Sequence, residues 1–181
     1  FGLPPEVQNV GSATHTDVVR LTTGDDQAGA MWHLQPVRVD NGFTTSFGFR
    51  IEPGPIHLDG DGFALVIQDD PAGAGALGAG GSGLGYDGIL RSVAVEFDTF
   101  SFSGEFATPH VAIHTQGGDA NWADDSASLA HAELTGLGRV VRAAGRLDGG
   151  QEALGVERGL AAGAGSGDGL AVGVVDEVAA G

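Results

Sequence analysis

The sequence predicts an all-β fold, a sandwich or barrel of antiparallel strands in a single domain. Short apolar runs with strand-like alternation recur about every ten residues, separated by Gly, Pro, Asp and Asn. No segment sustains the period of an amphipathic helix. The length, 181 residues, suits one domain with a full core.

In order along the chain, Leu3 to Ala13 reads as an opening strand and turn. Val18 to Thr22 is a short strand, closed by the turn Thr23-Gly24-Asp25-Asp26. Gln27 to Trp32 is expected to continue through His33 to Val39, up to the turn Asp40-Asn41-Gly42. Phe43 to Ile51 alternates cleanly, with Phe43, Phe47, Phe49 and Ile51 on one face, as in a half-buried antiparallel strand. Phe63-Ala64-Leu65-Val66-Ile67 and Val93 to Phe100 have the length and the β-branched or aromatic content of buried strands.

Between those two runs lies a glycine-rich loop, Gly73 to Gly88. It is not a phosphate loop, because no Gly-Lys-Ser/Thr follows and it opens no helix. Leu77, Leu84, Tyr86 and Ile89 interrupt it, which fits a flexible linker poorly. His110-Val111-Ala112-Ile113-His114 is a third apolar run, and Gly117 to Ser128 a polar loop. Within that loop Trp122 either stacks on a ligand or plugs the edge of the sandwich. Leu134 to Gly136 and Arg139 to Arg142 read as a turn and a strand of the second sheet, and Asp148-Gly149-Gly150 as a hairpin turn. Ala153 to Glu157 reads as a weak strand, the Ala/Gly-rich Leu160 to Gly169 as a loose connection, and Leu170 to Val175 as a late strand.

The charge narrows the function. There are 24 acidic against 8 basic residues, a formal net charge of −16. That argues against nucleic acid and anionic membranes as partners, since phosphate binding needs a basic surface. It fits a soluble protein of a saline or calcium-containing environment. Cysteine is absent, so no disulfide bears on the compartment. No stretch is long and apolar enough for membrane insertion, and Phe1-Gly2-Leu3-Pro4-Pro5 reads as a mature or trimmed N-terminus.

The chemistry concentrates on Val93 to Phe100. Residues two apart in a strand share a face, so Glu96 and Asp98 point the same way from an otherwise apolar segment. Two like charges there are costly unless something positive neutralises them. The chain has no Lys, and only Arg91 is near in sequence. A divalent cation is the economical counter-charge, with Glu105 and His110 just downstream to complete its site. The competing reading is a plain solvated face.

The run DGFALVIQDDP, then ALGAGGSGLGYDGI, SVAVEFDTF and HVAIHT, in that order and spacing, resembles the L-type (legume-type) lectins, bacterial members more than plant ones. The match is dense over 43–115 and weaker on either side. The resemblance implies an antiparallel β-sandwich of the jelly-roll, concanavalin A-like kind. It implies Asp61 as a hydrogen-bonding partner of sugar hydroxyls, with the Gly81 and Gly83 amides beside it. It also implies a metal site of Glu96, Asp98, the Phe100 carbonyl, Glu105 and His110, holding calcium with or without manganese. Asp98 would bridge two ions. Two departures stand out. Phe102, flanked by Ser101 and Ser103, takes the place of the usual calcium- and sugar-binding Asn, so that Ser103 is left as a partial substitute. Glu105 replaces the usual Asp.

The implied function is a non-enzymatic carbohydrate-binding module, secreted or at the cell surface, whose partner is a glycan or glycoprotein and whose sugar site is ordered by calcium. An alternative keeps the fold and drops the site, giving a structural or adhesive extracellular module. Sandwich glucanases carry Glu-x-Asp-x-Glu on one strand. Here Phe100 takes the third place, which argues against hydrolysis. Homo-oligomerisation through the flat back sheet, or membership of a larger protein, stays open. The family's closing C-terminal strand is expected to be missing from this chain.

Overall fold

A computed structural model describes residues 6–40, 42–51, 61–100, 105–106, 109–134, 141–147, 157–164 and 170–173. Twelve strands are found among them. These are β1 (Val7–Gly11), β2 (Thr14–His15), β3 (Val19–Arg20), β4 (Gln27–His33), β5 (Phe43–Ile51), β6 (Gly62–Gln68), β7 (Ser92–Asp98), β8 (His110–Thr115), β9 (Ser128–Glu133), β10 (Val141–Leu147), β11 (Glu157–Ala164) and β12 (Leu170–Gly173). They form a seven-stranded sheet, β1-β4-β11-β6-β7-β8-β9, and a five-stranded sheet, β10-β5-β12-β3-β2. Every registered pair is antiparallel. The fold is an antiparallel β-sandwich. Among the described residues no helix is long and apolar enough to cross a membrane.

The central strands β6 and β7 of the large sheet are buried on both faces, which is why they read as nearly continuous apolar runs. Alternation sends Phe63, Phe97 and Met31 toward the small sheet, where they meet Phe47, Phe49, Val19 and Leu21. Phe63 stacks on Phe97 at 4.8 Å between centroids, and Phe49 meets Phe63 edge-on at 4.5 Å. On β5, Phe47 and Phe49 are buried and Ile51 packs beside them, on the single face expected from the sequence. The residues of opposite parity, Ala30, Trp32, Ala64, Val66 and Ala94, face a second apolar layer of Ala76, Leu84, Tyr86 and Ile89. That layer is the glycine-rich loop. It is folded through two 3-10 turns, Gly73–Gly75 and Gly81–Gly83, and pinned by Trp32 Nε1 donating to the Ala76 carbonyl at 2.7 Å.

Of the boundaries that differ from the sequence reading, three are the most informative. The Val18 to Thr22 run is strand only at Val19–Arg20. β4 ends at His33 rather than reaching Val39, and the His33 ring contacts the Gln35 backbone there. The first half of the supposed loose connection is strand: β11 runs from Glu157 to Ala164 between β4 and β6. Gly159, Ala161, Ala162 and Gly163 have weak strand preference, and pairing on both sides overrides it. The expected turn at 148–150 and the expectation about the closing C-terminal strand fall outside the described residues.

Phe63 is fully buried and touches aromatic rings on both sheets. Phe63→Ala therefore lowers unfolding stability by about 3–5 kcal/mol, read as a lower denaturant midpoint at unchanged slope. A loss below about 1 kcal/mol would show that the two sheets do not share this core.

Candidate functional site

The loop-covered face of the large sheet carries the polar chemistry. Register places Glu96 opposite Ala64 on one side and Ala112 on the other, and Asp98 opposite Gly62 and His110. Small neighbours leave room around Glu96 on both sides and around Asp98 on the Gly62 side. Glu96 is 1% exposed and Asp98 5%, so a solvated face is excluded. His110 and His114, four apart on β8, share this face with them and are fully buried.

Glu96 is the hub. Its Oε2 accepts a hydrogen bond from the Tyr86 hydroxyl at 2.7 Å. Its Oε1 lies 3.3 Å from His110 Nε2 and 3.1 Å from His114 Nε2. His110 Nε2 is also 3.2 Å from Asp125 Oδ1, at the start of a 3-10 turn, Asp125–Ala127. The other oxygen of Asp125 accepts the Phe106 amide. His114 Nδ1 contacts the Trp122 carbonyl at 3.0 Å. Glu96, His114 and Asp125 each offer a donor atom within 4.8 Å of the others. His110 Nδ1 is buried with no hydrogen-bond partner among the described residues. This is a donor set suited to a divalent cation. Arg91, the nearest basic residue in sequence, pairs with Asp69 at 3.1 Å instead.

The other predicted residues lie at one end of this face. Asp61 is 3% exposed, and its carbonyl accepts the Thr99 amide at 2.9 Å, just past Asp98. Gly81, whose φ of +60° favours glycine, lies beside Asp61: a Cβ on it would stand in ordinary contact, 3.7 Å from Asp61 Oδ2. At Gly62 a Cβ would fall 2.2 Å from the Phe97 carbonyl, so only glycine lets β6 meet β7 here. Gly83 is buried against Ala79 and Asp87. The Phe100 amide donates to Asp98 Oδ1 at 2.7 Å, and Glu105 is partly exposed nearby. Phe102 and Ser103 lie outside the described residues. Trp122 is 52% exposed and so does not plug the sandwich edge.

His114, Asp125 and Tyr86 were not singled out as site residues by the sequence reading. His114 carried a signal, since its spacing from His110 puts both on one strand face. Asp125 and Tyr86 reach the site through loop folding and carried none.

Residues 5–143 match the legume lectin domain family. The chain belongs to that family. Solved structures share the fold at low identity. The lectin from Bauhinia forficata in complex with GalNAc is 20% identical, with a TM-score of 0.71 over 96% of this chain and 92% of its own. The VIP36 exoplasmic/lumenal domain in its Ca2+/Man3GlcNAc-bound form is 20% identical, with a TM-score of 0.69 over 93% and 81%. Peanut lectin with a nine-residue peptide is 21% identical, with a TM-score of 0.69 over 98% and 94%.

Within this legume lectin domain the two carboxylates are driven apart electrostatically. Burial would raise Glu96, but hydrogen bonds from His110 and His114, with Tyr86 adding to them, hold it down to about 2. Burial pushes Asp98 up to about 7; the Phe100 amide and His110 oppose this, while repulsion from Glu96 and Glu105 adds to it. Burial lowers His110, yet Glu96, Asp98 and Asp125 together raise it. Tyr86 is raised by burial first and by Glu96 second.

Asp98 keeps its proton to about 7 when folded and releases it near 3.8 when unfolded. Its contribution is therefore present in full below 3.8 and lost as pH rises toward 7, by a few kcal/mol. The raised His110 acts in the same direction above its ordinary value. Glu96 acts oppositely but at lower pH, its stabilisation fading only as pH falls from 4.5 toward 2. The metal-free melting midpoint should thus fall between about pH 4.5 and 7, and Asp98→Asn should flatten that fall. An unchanged slope in Asp98→Asn would contradict this assignment.

Proposed function

We propose that this legume lectin domain binds glycans without catalysing a reaction. In this reading the sugar is held where Asp61 meets the Gly81–Gly83 turn, and calcium bound by Asp98, the Phe100 carbonyl and Glu105 orders that end of the sheet. The carrying observation is the juxtaposition of Asp61 and Gly81 beside the end of β7. It sets a buried carboxylate against a backbone turn with no side chain in the way, which suits a ligand offering hydroxyl donors and acceptors. Ser103 would add a hydroxyl in place of the family's Asn.

The named ligands of the similar structures support the reading: GalNAc for the Bauhinia lectin, and Ca2+ with Man3GlcNAc for VIP36. The calcium's role would be to preorganise the loops, so that sugar binding avoids their ordering cost. Hydrolysis fits poorly. Glu96 is sealed from solvent by Tyr86 and two histidines, where no substrate oxygen reaches it. A secreted or lumenal location accords with the VIP36 domain being exoplasmic/lumenal.

A glycan array probed with the domain in calcium tests this. The expectation is retention on a defined glycan set, loss in chelator, and a roughly 10- to 150-fold weaker affinity for Asp61→Ala, as for one charge-assisted hydrogen bond. Absence of any retained glycan, or full binding by a folded Asp61→Ala variant, would favour a structural module instead.

A further inference from the structure

Strand β9 ends the seven-stranded sheet, and among the described residues its pairing is with β8 alone. Leu129 to Glu133 are all exposed, so the strand is open on both faces. The direction of its backbone groups follows from one bond. The Leu134 amide donates to the Pro109 carbonyl at 2.8 Å, toward β8. In an antiparallel pair alternate residues turn their amides and carbonyls to the partner strand. Ala132 therefore points inward, and His131 and Glu133 point their backbone groups to the open edge. Beyond them a bulge takes Leu129 out of register, between the pairs Ile113–Ala130 and His114–Ser128.

The two faces of this edge differ. Ala130 and Ala132, opposite Ile113 and Val111, lie on the side where Val111 and Leu134 pack against the core. His131 and Glu133 take the other face. At the bulge end are the most exposed large apolar side chains among the described residues, Leu129 at 67% and Trp122 at 52%. Trp122 is rigidly mounted. Buried Asn121 accepts its amide at 2.9 Å and donates to Ser92 Oγ at 3.0 Å. An aromatic held in place while exposed loses little freedom on binding.

Charge selects the partner. The segment from Ser92 to Leu134, which builds β7, β8 and β9, contains no Lys or Arg, while Asp119, Asp124 and Glu133 are exposed. With a net charge of −16 on the chain, a second copy is repelled and a cationic segment attracted.

We propose that the open edge of β9 binds an extended segment of another protein, alternating basic and apolar residues, by antiparallel strand addition. The backbone groups of His131 and Glu133 supply the main-chain hydrogen bonds. Basic side chains lie beside Glu133, apolar ones over Ala130 and Ala132, and an apolar end meets Leu129 and Trp122. Asp61 adjoins β6, three strands away, so glycan binding and this contact fail separately.

The test titrates the full chain with a capped peptide of about eight residues, alternating arginine and valine. Arginines opposite His131 and Glu133 turn their amides to β9, so N-methylation at every arginine should weaken binding at least about tenfold. N-methylation at every valine keeps charge and composition and should leave affinity unchanged. Amide NMR should show shifts centred on His131 and Glu133. Glu133→Pro removes an outward amide without touching the β8 ladder and should weaken binding about tenfold. Trp122→Ala should weaken it about fivefold or more. Thermal melts establish that both variants are folded, and the peptide comparison needs no variant. The proposal is overturned if the parent peptide does not bind, if the arginine-methylated peptide binds as tightly, or if the shifts centre elsewhere. It is equally overturned if sedimentation shows the chain dimerising through β9, for then a second copy occupies the edge.

Discussion

A carboxylate in the interior of a β-sheet is the constraint on which this structure turns. Glu96 sits in the middle of the seven-stranded sheet, sealed from water. An isolated charge there would cost more than a fold of this size can spare. The surroundings answer it piece by piece. β8 brings two histidines, the glycine-rich loop brings the lone tyrosine of the chain, and the Asp125 turn closes over the top. Each of those segments is positioned by a contact that leads back to Glu96. The hub is therefore a structural demand and a chemical opportunity at once, since the groups that satisfy a buried carboxylate are also metal donors.

The same arrangement explains the loop. A sheet covered on only one face would leave Ala64, Val66, Ala94 and Trp32 in water. The Gly73 to Gly88 segment covers them instead, and its glycines let backbone lie close against strand. Gly81 turns beside Asp61, and the neighbouring Leu84 and Tyr86 plug inward. Apolar cover, approach to Asp61 and delivery of Tyr86 to Glu96 are thus one device. The site and the second core cannot be separated energetically, because a change that frees the loop exposes both.

Much of this was legible in the sequence, for identifiable reasons. β5, β6, β7 and β8 announce themselves because large β-branched and aromatic residues alternate or run together. The Glu96–Asp98 pair is visible because a period of two puts them on one face. β11 was hidden because Ala and Gly carry almost no periodic signal, and its strand character comes from pairing with β4 and β6. The outer half of the metal cluster was hidden for a different reason. Asp125 comes from a loop containing several similar acids, and only the fold selects the one that meets His110. His114 lay in plain view at the right parity, but one histidine after another in an apolar strand is easily taken for core. Arg91, the sequence's obvious counter-charge, is spent on Asp69.

The central claim is that a cation at the Glu96 cluster holds together the loops that cover the large sheet. Amide hydrogen exchange of the domain stripped of metal, and again after loading with calcium and manganese, tests it most directly, because local opening is read segment by segment. The account predicts that metal slows exchange selectively at Tyr86 and its neighbours, at Asn121 to Asp125, and at His110 to His114. The five-stranded sheet should be left nearly as it was. Uniform slowing everywhere, or none in the two loops, would contradict it.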